Sequence, residues 1–156
     1  MSSKITVVLD NIRSAENVGS IIRTADGFGV DRIILVGITP GLVDRFGREN
    51  QKAIKASLGA ERTVLIEKIE SAEEAIVRLK KEGMVIVSLE QSERSIDYRE
   101  LVVPQKIALI VGNEVRGVSS SFLESSDYVI EIPMKGKKES LNVAVATGVA
   151  LSKMVV

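Results

Sequence analysis

Three strand-like runs in this chain each end in a cluster of polar side chains standing just before a helix-like segment. Residues 5–9 lead into Asn11-Ile-Arg-Ser-Ala-Glu-Asn-Val-Gly-Ser-Ile-Ile-Arg, which carries Asn17 and Arg23. Residues 107–111 lead into Gly112-Asn-Glu-Val-Arg-Gly, which carries Glu114. The run 128–132 stops at Pro133, and a basic, glycine-containing loop continues to Ser140-Leu-Asn. The first backbone N–H groups of a helix lack partners and lie at the positive end of its dipole, so such junctions favour electron-rich ligands. In open α/β sheets, ligands bind beyond the carboxyl ends of the strands. Three polar strand ends in one small domain therefore predict one composite site.

Composition narrows the chemistry. The chain has 156 residues, enough for one domain with a sizeable core. It has no Cys and no His. Disulfides, thiolate metal sites, cysteine nucleophiles and a Ser-His-Asp triad are thereby excluded, and no metal is expected. Lys plus Arg and Asp plus Glu number 21 each, so any nucleic-acid contact must come from a local basic patch. Aromatics are few (Phe28, Phe46, Tyr98, Phe122 and Tyr128), which argues against a stacking platform. No signal-peptide pattern or membrane-length apolar run is present, and the expectation is a soluble cytoplasmic protein with no membrane contact.

The polar clusters need a scaffold. Strands are predicted at 5–9, 32–36, 63–66, 84–89, 107–111 and 128–132, from short β-branched runs bounded by turn residues. A helix is predicted over 15–28, where Val18, Ile21, Ile22, Ala25 and Phe28 share one face and Gly29 ends it. Others are predicted at 50–58, at 72–82 behind a Ser71/Glu74 capping box, after Ser121, and at 140–154. Residues 91–104 are polar and turn-rich. The alternation predicts an α/β fold, one domain over residues 1–156, with a mainly parallel sheet and helices on both faces. The last helix is apolar on every side, so a second subunit is expected to cover it.

Each motif alone fits an ordinary cap or turn, but the three together, in this order and on strand ends, are much more specific. They resemble the signature motifs of the SpoU/TrmH family of RNA 2′-O-ribose methyltransferases, in the SPOUT class. The first is Asn17-Val-Gly-Ser-Ile-Ile-Arg-Thr-Ala with Phe28-Gly-Val, the second Leu109-Ile-Val-Gly-Asn-Glu-Val-Arg-Gly-Val, and the third Ile132-Pro-Met-Lys-Gly-Lys-Lys-Glu-Ser-Leu-Asn. Lys55-Ala-Ser-Leu-Gly-Ala-Glu resembles a further segment common in these enzymes.

The resemblance covers essentially the whole chain and implies what spacing does not. It implies a C-terminal deep trefoil knot, which general topology rules would exclude in advance. It implies S-adenosylmethionine held by the knot loops, with Leu89, Gly112, Ile132, Met134 and Leu141 as cofactor contacts. It implies a homodimer acting on RNA, with Asn17, Arg23, Glu114, Ser140 and Asn142 as the catalytic set. No separate RNA-recognition domain is expected, which tilts the expected substrate from rRNA toward tRNA. Arg45, Arg48, Lys52 and Lys55 face only Glu49 in their segment, and Lys135, Lys137 and Lys138 precede Ser140, so both clusters are read as RNA backbone contacts.

With no His, the hydroxyl proton of a ribose acceptor falls to Glu114, Arg23 or water. A guanidinium stays protonated in proteins, so Arg23 is read as a clamp that stabilises developing negative charge. Gly112 is read as allowing close approach of the cofactor. Two rival readings stand beside this one. A Rossmann-type nucleotide module lacks its Gly-x-Gly-x-x-Gly and P-loop signatures here. A catalytically inactive RNA-binding protein on the same fold is opposed by the intact Arg23, Glu114 and Asn142.

Overall fold

The computed structural model describes residues 2–155. Seven parallel strands form one sheet in the order β3-β2-β1-β6-β4-β7-β5. They are β1 (Lys4–Asp10), β2 (Arg32–Val36), β3 (Leu65–Ile69), β4 (Val85–Leu89), β5 (Ile96–Asp97), β6 (Lys106–Gly112) and β7 (Tyr128–Glu131). The helices are α1 (Ala15–Gly27), α2 (Gln51–Ser57), α3 (Ala72–Lys81), α4 (Ser120–Ser125) and α5 (Val143–Met154).

The near-continuous aliphatic runs of β1 and β6 are those of strands buried on both faces. Alternation sends Ile5, Val7 and Leu9 toward α1 and α5, whose Val18, Ile21, Ile22, Ala150, Leu151 and Met154 join the same core. Val8, Ile34, Ile86 and Ile110 face the other way, against Ala75, Ile76 and Leu79 of α3 and Phe122 of α4. Each fully buried aliphatic side chain contributes about 1.5–3 kcal/mol. Helix α2 packs on α1 at Gly19, where an added Cβ would strike the backbone of Ala53.

The structure differs from the sequence expectations in three places, β3, β5 and the start of α5, and leaves part of α5 uncovered. Strand β3 begins at Leu65, because Thr63 and Val64 complete the turn over Ala60–Arg62: the Val64 N–H donates to the Ala60 carbonyl at 3.1 Å. A two-residue strand, β5, lies inside the polar stretch and pairs Ile96 with Ile130. Helix α5 starts at Val143, with Ser140 and Leu141 in the loop before it; Asn142 is the cap, accepting the N–H groups of Ala144 and Val145. Within one chain α5 is covered on one side only: Thr147, Ala150, Leu151 and Met154 are buried, while Val145 is 54% exposed.

Leu58 ends α2 in the left-handed region (φ 49°) with its side chain 65% exposed. That conformation suits glycine. Leu58→Gly is therefore expected to raise stability by about 1 kcal/mol, or roughly 2–4 °C in Tm for a domain of this size. A thermal melt showing no gain would mean that the leucine side chain makes a compensating contact.

Candidate active site

The carboxyl ends of the central strands are level. In register Asp10 pairs with both Val36 and Gly112, so the turns after β1, β2 and β6 emerge side by side. Asn11 turns the chain in the left-handed region (φ 55°). Its Oδ1 accepts the Ile38 N–H at 2.9 Å, and its carbonyl accepts Nδ2 of Asn113 at 2.8 Å. The buried Thr39 hydroxyl accepts the Ile12 N–H at 3.0 Å. Lys68 caps the Gly37 and Thr39 carbonyls at 2.9 and 2.7 Å, and burial lowers its pKa. Asp10, 1% exposed, accepts the Ser119 N–H at 2.7 Å; burial raises its pKa. Glu90 accepts the Val118 N–H at 2.8 Å, so two carboxylates anchor the far side of the 113–118 turn.

Across these turns runs a relay of polar side chains. The Glu114 carboxylate accepts the N–H groups of Arg13 and Ser14, both at 2.9 Å, and Nδ2 of Asn17 at 3.1 Å. Asn17 Oδ1 in turn accepts Nδ2 of Asn142 at 3.2 Å. Ser14 caps α1, accepting the Asn17 N–H. One hydrogen-bonded line thus joins the turn after β6, the start of α1 and the start of α5. Burial pushes the Glu114 pKa up, but donors from the Arg13, Ser14 and Glu114 backbones and from Asn17 together outweigh it and hold the carboxyl below its usual range. Because the folded value is depressed, this contribution to stability is present above the ordinary glutamate range and fades as pH falls through the folded value. Glu114→Gln is expected to lower Tm at neutral pH, with the gap to wild type narrowing below about pH 4. Parallel melts across pH test this; a gap that stays constant would refute it.

Beside the relay lies a cavity of about 760 Å³, walled by the loops after β4, β6 and β7. Leu89, Val111, Ile132, Met134, Leu141 and Val143 supply its apolar surface, and Gly112 lines it too. All five residues expected to touch a cofactor therefore share one cavity. Its polar lining holds Glu90, Glu114, Glu131 and Glu139, with Arg116 as the one cationic residue among the described residues that line it. Ser140 and Asn142 also line it. Asn17 lines a smaller groove between α1 and α5, with Ser20, Thr24, Val145 and Gly148.

The space beside Gly112 is filled by the chain itself. A Cβ there would come within 2.5 Å of the Gly117 carbonyl oxygen and closer still to the Val118 nitrogen. A side chain at Gly112 would meet the turn that follows it, while Gly112 itself lines the cavity. Arg23 is exposed on α1, outside the lining of the cavity, with no hydrogen bond or ion pair recorded among the described residues. Arg45, Arg48, Lys52 and Lys55 are exposed after β2, and Lys135, Lys137 and Lys138 are exposed after β7. Arg48 is engaged by Asp44 at 2.9 Å, one residue before the segment counted as basic. Sequence reasoning missed Asp10, Thr39, Glu90 and Asn113. Asp10 and Asn113 carry a readable signal, a polar residue beside the end of an aliphatic strand, whereas Thr39 and Glu90 are recognisable only from their partners.

Among known proteins, the family model described as the SpoU rRNA Methylase family matches residues 4–152. The tRNA (guanosine(18)-2′-O)-methyltransferase of Aquifex aeolicus is 34% identical over 150 residues, covering 94% of this chain and 66% of that protein. An AdoMet-bound rRNA methyltransferase structure from Sinorhizobium meliloti is similar at TM-score 0.85 and 30% identity, over 99% of this chain and 56% of that one. A structure presented as giving insights into the 2-OH methylation of C/U34 on tRNA is similar at TM-score 0.82 and 25% identity, over 97% of this chain and 94% of that one. The chain spans 55–66% of the length of the first three curated relatives it matches.

Proposed function

Given that this chain belongs to the SpoU rRNA methylase family, we propose that it transfers a methyl group from S-adenosylmethionine to a ribose 2′-hydroxyl of RNA. The observation that carries this reading is the Glu114–Asn17–Asn142 relay at the rim of the cavity, drawn from three strand ends. tRNA is favoured over rRNA by the substrate named for the Aquifex relative and by the near full-length match to the structure concerned with tRNA.

The cavity suits the cofactor. Its volume lies within the range of small-molecule sites. Its apolar walls fit an adenine ring, and its carboxylates suit a ligand with a sulfonium charge. The bound cofactor supplies an electrophilic methyl whose transfer breaks the S–C bond, leaves a neutral thioether and releases the 2′-hydroxyl proton. The loops after β4, β6 and β7 wall the cavity, and we assign the trefoil knot of the family to this region.

The side chains divide the remaining work. Glu114 already accepts three N–H groups and titrates low, so it is a weak base. It anchors the turns, and the proton passes to water. Asn17 and Asn142 lock each other and present their remaining amide valences to the ribose. Arg23 stabilises the developing alkoxide and the adjacent phosphate. It lies about 9 Å along the helix axis from Asn17. A second copy seated on α1 and the exposed side of α5 covers Val145 and brings Arg23 of one copy to the cavity of the other. Ser140, exposed in the loop before Asn142, contacts the acceptor.

Purified protein, labelled S-adenosylmethionine and separate tRNA and rRNA pools test the reading, with ribose-methylation mapping of the product. Label at a 2′-oxygen supports it; no transfer to either pool, or label on bases only, refutes it. The basic segment adds a salt dependence. Changing Arg45, Arg48, Lys52 and Lys55 together to Gln should shallow the log affinity–log salt slope for RNA by about 2–3, with Arg48 contributing least because Asp44 already holds it. A slope unchanged by the substitutions would place the RNA elsewhere.

A further inference from the structure

The cavity rim is lopsided. Four glutamates line it, and Arg116 is the one cation among the lining residues. Acidic lining suits the sulfonium and the ammonium of S-adenosylmethionine, but the same ligand ends in a carboxylate. A carboxylate placed among glutamates without a cation would be repelled, with little screening inside a cleft. Resting on the cofactor reading above, we infer that Arg116 receives this carboxylate and so sets specificity for the amino-acid arm of the cofactor.

The turn geometry supports the assignment. The Arg116 N–H is fixed at 2.9 Å by Oδ1 of Asn113, which also holds the Val115 N–H at 2.9 Å. Glu90 holds the next stretch through Val118, so the backbone that carries Arg116 is tied on both sides. The guanidinium makes no hydrogen bond or ion pair among the described residues, and Arg116 is an exposed residue that lines the cavity. It is therefore free to pair bidentately with a carboxylate, which a guanidinium does better than an ammonium. Glu114 lies two positions earlier in the same turn. One turn thus supports the acceptor-side relay through Glu114 and holds the far end of the methyl donor through Arg116.

The test measures binding, without catalysis. Dissociation constants are compared for S-adenosylmethionine, its decarboxylated analogue and 5′-methylthioadenosine, which lacks the whole arm, on wild type and Arg116→Met. Wild type should prefer S-adenosylmethionine over the decarboxylated analogue by about 10- to 100-fold. Arg116→Met should lose that preference while binding the two truncated ligands as before or more tightly. Arg116→Lys should recover only part of it. Equal loss of all three ligands in Arg116→Met would show that the arginine merely supports the turn. An unchanged preference would show that the carboxylate is held elsewhere. If wild type binds S-adenosylmethionine no better than the decarboxylated analogue, the carboxylate gains nothing from the site and this assignment falls alone. If it binds none of the three, the cofactor reading falls and takes the assignment with it.

Discussion

Arg23→Ala is expected to reduce methyl transfer to RNA by about a thousandfold or more, while leaving S-adenosylmethionine affinity within about twofold of wild type. The separation follows from role and position. Arg23 is exposed on α1, outside the cavity wall of its own chain, and its assigned contacts are the acceptor oxygen and phosphate, so its removal spares the groups that hold the methyl donor. Arg23→Lys should fail nearly as badly, because an ammonium cannot reproduce the planar two-pronged contact to phosphate and oxygen. Substantial activity in the lysine variant would remove the clamp assignment. If Arg23 serves the cavity of a second copy, two inactive variants should rescue each other. Co-expressed Arg23→Ala and Gly112→Val chains would form mixed dimers in which one of the two sites has both an intact cavity and an intact arginine. Recovery of activity in purified mixed dimers supports the shared site; none, with mixed dimers demonstrated, places Arg23 at its own chain's cavity.

Gly112→Val is expected to abolish S-adenosylmethionine binding and to destabilise the fold as well. A Cβ at this position meets backbone, which cannot rotate aside as a flexible side chain would. The turn from Asn113 to Gly117 must move, and with it the Val118 N–H held by Glu90 and the Glu114 carboxylate that joins α1 to the relay. Overpacking of this kind costs about 1–3 kcal/mol or more. Calorimetry should show loss of binding together with a fall of several degrees in Tm, using about 2–4 °C per kcal/mol. Gly136→Ala is the matching control, since a Cβ there meets nothing within 4 Å. A Gly112→Val protein of wild-type stability and normal affinity would show that the turn tolerates displacement and does not shape the cavity.

The contrast between these glycines marks what the sequence can carry. The central strands were legible because strands buried on both faces are nearly continuous apolar runs, as in β1 and β6. The relay was legible because Asn17, Glu114 and Asn142 interrupt apolar patterning next to strand ends. Edge features were not. β3 pairs on one side only and exposes Leu65, so its pattern is weak, and β5 is too short to have a pattern. The start of α5 was read early because Ser140 is as good a cap by type as Asn142, and only the bonds to Ala144 and Val145 distinguish them. At Gly112 the sequence shows that space is needed but not that the following turn takes up the Cβ direction. Asp44 was overlooked because it stands one position outside the basic stretch whose charge it reduces.

The register of β1 also bears on how the chain is made. Its seven residues pair from Lys4↔Lys106 to Asp10↔Gly112, across most of the molecule's length. Until synthesis has passed residue 112, the buried aliphatic strand β1 can have β2 as a neighbour but lacks its other partner. Long-range parallel pairing of this kind is slow, and an open hydrophobic strand edge is sticky while it waits. A nascent or truncated chain ending before β6 should therefore aggregate or recruit chaperones. The site, which needs the turns after both β1 and β6, matures among the last parts of the fold.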